Sequence, residues 1–228
     1  MFANECIDFT DLFVKHFCFW EHLSEEEKRI LCENMTMMKF KKGENIHNAN
    51  ENCLGVILIK KGHLRTYMMS EDGRDITLFR LFEDDVCVLS ASCIIDTITF
   101  DIFIDAEEDS ELLLIKSDIF EKLAEKNIYI KNFQHEITST RFSDVMWTMQ
   151  QILFMSFDRR LAIFLMDEIA KNGKDEIKLT HEQIARYMGS AREVVTRMLK
   201  YFVGEGIVEL SRGGVKIIDK NKLRELAQ

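Results

Sequence analysis

Apolar residues in the last fifth of the chain recur first at helical and then at strand spacing. Val194, Val195, Met198, Leu199 and Phe202 follow one another at intervals that put them on a single arc of a helix, at about 100° per residue. Arg192, Glu193, Thr196 and Arg197 fall on the opposite arc. Thr180 followed by Gln183, and Ser190 followed by Glu193, each predict a capping-box helix start. Gly189 lies between the two starts, where a tight turn between helices needs a permissive backbone. Past Val203-Gly204-Glu205-Gly206, which ends the second helix, Ile207 to Leu210 and Val215 to Ile218 read as strands joined by a turn at Ser211-Arg212-Gly213-Gly214. The predicted unit is a helix-turn-helix followed directly by a glycine-tipped hairpin, a winged helix.

Upstream the pattern differs. From Phe40 to Ile115 short apolar stretches are punctuated by Lys41-Lys42-Gly43-Glu44, Lys60-Lys61-Gly62, Glu71-Asp72-Gly73, Glu83-Asp84-Asp85 and Glu107-Glu108-Asp109, the spacing of an all-β sandwich or barrel. Alternation is read in Val56-Ile57-Leu58-Ile59 and in His63-Leu64-Arg65-Thr66-Tyr67. Leu12 to Met37 predicts one or two leading helices, with Ser24 capping the acidic start Glu25-Glu26-Glu27. Ile128 to Ser156 contains no helix breaker and predicts one long helix. On it Phe142, Val145, Met149, Ile152 and Ser156 recur at three- and four-residue spacing, and Met146, Trp147, Leu153 and Phe154 widen the apolar surface. Such a helix needs two burial partners, here a second copy of itself and the preceding β-domain; the core helix of a monomer is the plainer alternative. Phe157-Asp158 reads as a hinge and Arg159 to Ala170 as the first helix beyond it. The fold class is α+β, with residues 1–126 as a β-domain, 127–157 as dimerisation helix and hinge, and 158–228 as the winged-helix domain.

The polar arc of the last long helix suits a DNA groove. An arginine fork matches the acceptor edge of guanine, a glutamate accepts from the cytosine amine, and a threonine hydrogen-bonds or touches a thymine methyl. Thr180 and Ser190 at the two helix starts join this set, and Arg212 at the hairpin tip is placed for a phosphate. An amphipathic helix with a solvated face would show the same periodicity. The turn before it and the hairpin after it favour the DNA reading.

Composition fits once it is divided. The 228 residues are 46% hydrophobic with a net charge of −9. The segment from Asp158 holds 14 Lys and Arg against 11 Asp and Glu, leaving 16 against 28 before it. Nucleic acid is thereby confined to one end, with salt-sensitive binding expected. No apolar run is long enough for a bilayer, and the acidic start MFANECIDFTDLF lacks a basic signal region, so the expectation is a cytoplasmic protein with no membrane partner. Six cysteines without C-x-x-C spacing predict reduced thiols.

Leu179-Thr180, Ile184-Ala185, Met188-Gly189, Arg192-Glu193, Val195, Arg197, Leu199, Gly206-Ile207, and Ile217 with Asp219 resemble the DNA-binding segment of the Crp/Fnr family of bacterial transcription regulators. The glycine turns of the β-domain resemble, more loosely, that family's cyclic-nucleotide-binding β-roll, a double-stranded β-helix. The resemblance implies that Arg192, Glu193 and Arg197 face bases. The set Glu193, Thr196, Arg197 is similar to the Glu, Ser, Arg of the Fnr branch, which implies a palindromic operator with TTGA-like half-sites. A homodimer would provide two recognition helices for such an operator, and RNA polymerase is a further partner if the protein activates.

The effector is not implied so directly. Cyclic-nucleotide binders of the family carry Gly-Glu and Arg-Ser or Arg-Thr where this chain has Val88-Leu89 and Phe100-Asp101. A carboxylate in place of the phosphate-holding arginine repels the ligand, so cyclic AMP is disfavoured. In place of that pocket stands Cys87-Val88-Leu89-Ser90-Ala91-Ser92-Cys93, whose Cys87, Ser90, Ser92 and Cys93 are sensor candidates: a thiol redox switch, or ligands to a haem or metal. Packing of cysteine as a small hydrophobe is the plainer alternative. An iron–sulfur cluster is disfavoured because Cys6, Cys18 and Cys32 are scattered rather than clustered. His16, His22, His47, His63 and His135 show no ligand spacing, so no metal site is identified. The implied function is a homodimeric, sequence-specific regulator responding to redox, nitric oxide through haem, or a small ligand. Two rivals are a constitutive DNA binder with a vestigial sensor and a cupin-like β-roll enzyme. The enzyme needs a His and Glu cluster that the strands do not supply, so a non-enzyme is expected.

Overall fold

The computed structural model describes residues 12–48, 54–88 and 101–228, in which Ser24 starts the helix the sequence assigns to it. Its hydroxyl accepts from the Glu27 N–H at 3.3 Å, and the Glu27 carboxylate accepts from the Ser24 N–H at 2.8 Å. This capping box opens α1 (Glu25–Glu33). Replacing Ser24 with Ala should lower stability by about 1 kcal/mol, measured as a drop in thermal midpoint. The leading helix stops earlier than expected. Met35–Phe40 is strand β1, paired antiparallel to β8 (Ser110–Lys116) from Met35 opposite Ile115 to Phe40 opposite Ser110. A short run of methionines suits either period, and pairing with β8 decides it.

Among the described residues the β-domain shows two four-stranded sheets. With β2 (Asn45–His47), β3 (Gly55–Lys61), β4 (Leu64–Met69), β5 (Asp75–Leu81), β6 (Val86–Cys87) and β7 (Phe103–Ala106), their orders are β1-β8-β3-β6 and β2-β7-β4-β5. Ile57, Ile59, Leu64, Leu78, Ile104 and Leu112, drawn from both sheets, form one core. Val56, Leu58, Leu113 and Ile115 point the other way, into a second core with Phe13, Phe17, Phe19, Phe120 and Phe133. Strand β3 is therefore buried on both faces. That explains an unbroken apolar run where alternation was expected. Gly62 closes the β3–β4 turn at φ +93°, and a Cβ there would meet the Ser110 backbone at 2.9 Å. Arg65 is fully buried, its guanidinium 4.3 Å from the centre of the Tyr67 ring.

After α2 (Ser117–Lys126) comes the long helix α3 (Ile128–Phe154). It ends at Phe154, and α4 (Phe157–Asn172) already includes the expected hinge residues Phe157 and Asp158. The break falls at Met155–Ser156 instead. Ser156 takes the extended N-cap conformation, and its hydroxyl bonds to Asp158, holding that carboxyl below its usual pKa range at the positive end of α4. Cys18 and Cys87 are in no disulfide, whereas Cys32 is disulfide-bonded, against the expectation of reduced thiols throughout. Scattered spacing carries no sign of pairing, which depends on proximity in the fold.

By contact density the chain divides into Met1–Met69 with Leu78–Val145, and Ser70–Thr77 with Met146–Gln228. The second unit holds α4, β9 (Glu176–Ile177), α5 (His181–Tyr187), α6 (Arg192–Gly204), β10 (Val208–Ser211), β11 (Gly214–Ile217) and α7 (Lys220–Ala227). Its core gathers Leu161, Leu165, Ile184, Val195, Leu199, Phe202 and Val215. The three strands form one sheet in the order β10-β11-β9.

Candidate nucleic-acid interface

Thr180 caps α5 as the sequence predicts. Its hydroxyl accepts from the Gln183 N–H at 3.2 Å, and Gln183 Oε1 accepts from the Thr180 N–H at 2.9 Å. The second capping box does not form. Ala191 is the N-cap of α6 and makes no side-chain cap bond. Ser190 is instead bound into the end of α5: its N–H donates to the Ala185 carbonyl at 2.9 Å, and the Gly189 N–H to the Arg186 carbonyl at 3.4 Å. With Gly189 at φ +56°, this is a Schellman stop, and it claims the residue the sequence pattern assigned to the next helix. Arg160, half-buried on α4, donates to the Met188 carbonyl and ties down the same turn. Burial lowers the pKa of its guanidinium from the ordinary value.

The turn delivers α6 with one face buried and one bare. Val195, Leu199 and Phe202 are completely buried, while Arg192, Glu193 and Arg197 are exposed and Thr196 is half-buried. These four polar residues line one open concavity together with Lys200. The sequence reading omitted Lys200, although it stands four positions after Thr196 and so on the same arc. Three cations and one carboxylate thus share this surface. At the far end of α6, Lys222 on α7 donates to the Glu205 carbonyl at 3.0 Å, and Asp219 caps α7 through the Asn221 and Lys222 amides. The helix is held from both ends.

The hairpin places Arg212 at its tip. Ser211 pairs with Gly214, which leaves Arg212-Gly213 as a two-residue turn with Gly213 at φ +81°. Arg212 is exposed.

His181 is a second residue that sequence reasoning does not find. Its Nδ1 lies 2.9 Å from the Thr196 hydroxyl, joining the first residue of α5 to the polar face of α6. Burial lowers its pKa from the ordinary value, and the cations Arg192 and Lys200 push in the same direction. A pair separated by 15 positions on two helices leaves no periodic trace.

The expected dimer seam divides. Phe142 is 65% exposed and Met149 and Ile152 are exposed too, whereas Val145 packs against the β-domain core. Leu153 at 64% and Phe154 at 81% extend the bare apolar surface along α3. Unpartnered apolar surface of this extent marks an interaction site.

Cys87 is fully buried and sits opposite Ile57 among the apolar side chains between the sheets. That is the setting of a packed thiol rather than an accessible one. Ser90, Ser92 and Cys93 lie outside the described residues, as do Leu89 and Phe100. Val88 is buried and Asp101 exposed, and neither side chain offers a donor to a phosphate. Several histidines have structural partners: His63 faces Glu108 at 3.2 Å, His16 faces Asp84 at 3.0 Å, and His22 stacks on Tyr129. Among the described residues no three His, Cys, Asp or Glu side chains converge on a metal-sized site, and no helix is long and apolar enough to cross a membrane.

Comparison with known proteins agrees with this geometry. Residues 159–226 match the Crp-like helix-turn-helix domain, and residues 37–127 the cyclic nucleotide-binding domain. A structure of a transcriptional regulator of the Crp/Fnr family from Eubacterium rectale is 45% identical, with a TM-score of 0.87 over 93% of this chain and 98% of that one. The transcriptional activator protein FnrA of Stutzerimonas stutzeri is 25% identical over 198 residues, covering 82% of this chain and 78% of its own length. FixK2 from Bradyrhizobium japonicum shares the fold, with a TM-score of 0.69 at 19% identity over 85% of this chain and 98% of that one.

Proposed function

Since the chain belongs to the Crp/Fnr family and is a DNA-binding transcription regulator of that type, we propose that it acts as a homodimer reading a dyad-symmetric operator. One observation carries the reading: α6 buries Val195, Leu199 and Phe202 completely and leaves Arg192, Glu193, Thr196 and Arg197 together on its bare face. In the major groove Arg197 and Arg192 address guanine edges, Glu193 accepts from a cytosine amine, and Thr196 meets a further base. Arg212 and Lys200 serve phosphates. Two such helices, brought together through Phe142, Met149 and Ile152 of α3, match two half-sites of TTGA type. Residues 1–126 form the sensor, 127–157 the dimerisation helix and hinge, and 158–228 the reader.

A signal received by the β-roll shifts the population between two arrangements of the reader domains. The signal is redox, nitric oxide through haem, or a small ligand other than cyclic AMP, since the replaced nucleotide pairs give a phosphate no donor. The protein works in the cytoplasm, with RNA polymerase as its partner at promoters it activates. Catalysis plays no part. The burial of Cys87 favours a second reading, a constitutive DNA binder with a vestigial sensor. DNA affinity indifferent to oxidant, reductant and nitric oxide selects that second reading.

Selection of duplexes from a random pool tests the proposal, which expects enrichment of a dyad-symmetric sequence; a pool left unenriched contradicts it. Arg212→Ala should weaken binding to every duplex by the same factor and reduce the log–log salt slope by about 2, about 1 for each subunit's phosphate contact, measured by titration over a salt series.

A further inference from the structure

We infer that His181 is a specificity-determining positioning residue: through Thr196 it sets whether a base meets a hydrogen-bond donor or an acceptor. The inference rests on the reading of α6 as the DNA-reading helix. Its observation is the 2.9 Å contact between His181 Nδ1 and the Thr196 hydroxyl, on the surface shared by Arg192, Glu193, Arg197 and Lys200.

That hydrogen bond has two directions. In the neutral ring carrying its proton on Nε2, Nδ1 accepts from the Thr196 hydroxyl, which then turns only lone pairs outward. Those lone pairs accept from adenine N6 or cytosine N4. In the imidazolium, Nδ1 donates to Thr196 and frees the hydroxyl proton for guanine O6 or N7, adenine N7 or thymine O4. One threonine therefore reads different base edges according to one proton.

The surroundings decide which form prevails in the free protein. The charged groups acting on the ring are Arg192 and Lys200 on α6, both cations. With burial, these favour the neutral ring, whose Nε2–H tautomer accepts from Thr196. A DNA phosphate drawn to the same surface acts the other way and returns the proton's range toward the ordinary imidazole value. Acidification is then expected to switch Thr196 from acceptor to donor while duplex is bound.

The test uses the full-length protein, a duplex selected by the wild type from a random pool, and every single-base variant of its half-site, at about pH 6 and pH 8. The wild type should change its preference at one position by roughly two- to tenfold between these conditions, the worth of one hydrogen bond. His181→Asn, which cannot titrate, should hold that preference constant. His181→Ala and Thr196→Ala should erase discrimination at this same position, the double variant losing no more than either alone. Discrimination at positions read by Arg197 and Glu193 should stay unchanged. A pH-invariant wild type, additive losses, or a His181→Ala protein weakened equally on all duplexes overturns the inference. Should His181→Ala fail to fold, the pH profile of His181→Asn decides alone. If the wild type selects no duplex, the reading of α6 fails and this inference with it; if it selects one and these arms fail, only the inference falls.

Discussion

A protein carrying Met149→Lys and Ile152→Lys together should be monomeric at micromolar concentration and should lose specific binding to its dyad-symmetric duplex. Both residues are already exposed in the single chain, so the substitutions remove little from its own core. In a dimer the same positions lie in the seam, where two pairs of unpartnered ammonium groups would have to be desolvated. Without the dimer each half-site is bound alone. The gain from linking two binding events, roughly 10²- to 10⁴-fold, disappears. Light scattering checks the mass and titration of a full operator the affinity. A double variant that stays dimeric, or a monomer binding as tightly as wild type, would refute the role given to α3.

Arg197→Ala should cost about 1–3 kcal/mol of binding per half-site and relax specificity at one base of each. Arg197 is exposed on the face of α6 opposite its fully buried residues, so its loss leaves the helix in place. What is removed is a fork of donors aimed at a base edge. The discriminating comparison is with Arg212→Ala on the hairpin tip, which should scale all affinities together. Measured on the same single-base duplex series, one variant changes the pattern and the other only the level. Identical behaviour would show the division into base reader and phosphate anchor to be wrong.

The parts legible in the sequence are those governed by a local period. The buried and bare arcs of α6, the glycine-tipped hairpin, the Thr180 and Ser24 capping boxes and the glycine turns of the β-roll all follow from spacing over a few residues. Where two local signals competed for one residue, the sequence could not arbitrate. Ser190 could cap the helix after it or close the one before it, and the bond to Ala185 settles the matter only in three dimensions. Long-range choices were equally hidden. The methionines of β1 are strand because β8 lies beside them, and Val145 belongs with the β-domain core although its spacing matches the exposed seam. The His181–Thr196 pair spans two helices and obeys no period at all.

Footprinting of the purified protein on its selected duplex, with the protein-to-duplex ratio at saturation, addresses the central claim most directly. Two protected half-sites related by a dyad, centred about one helical turn apart, are expected, with two protein chains bound per duplex. Protection of a single half-site by one chain, or no protection at all, would contradict it.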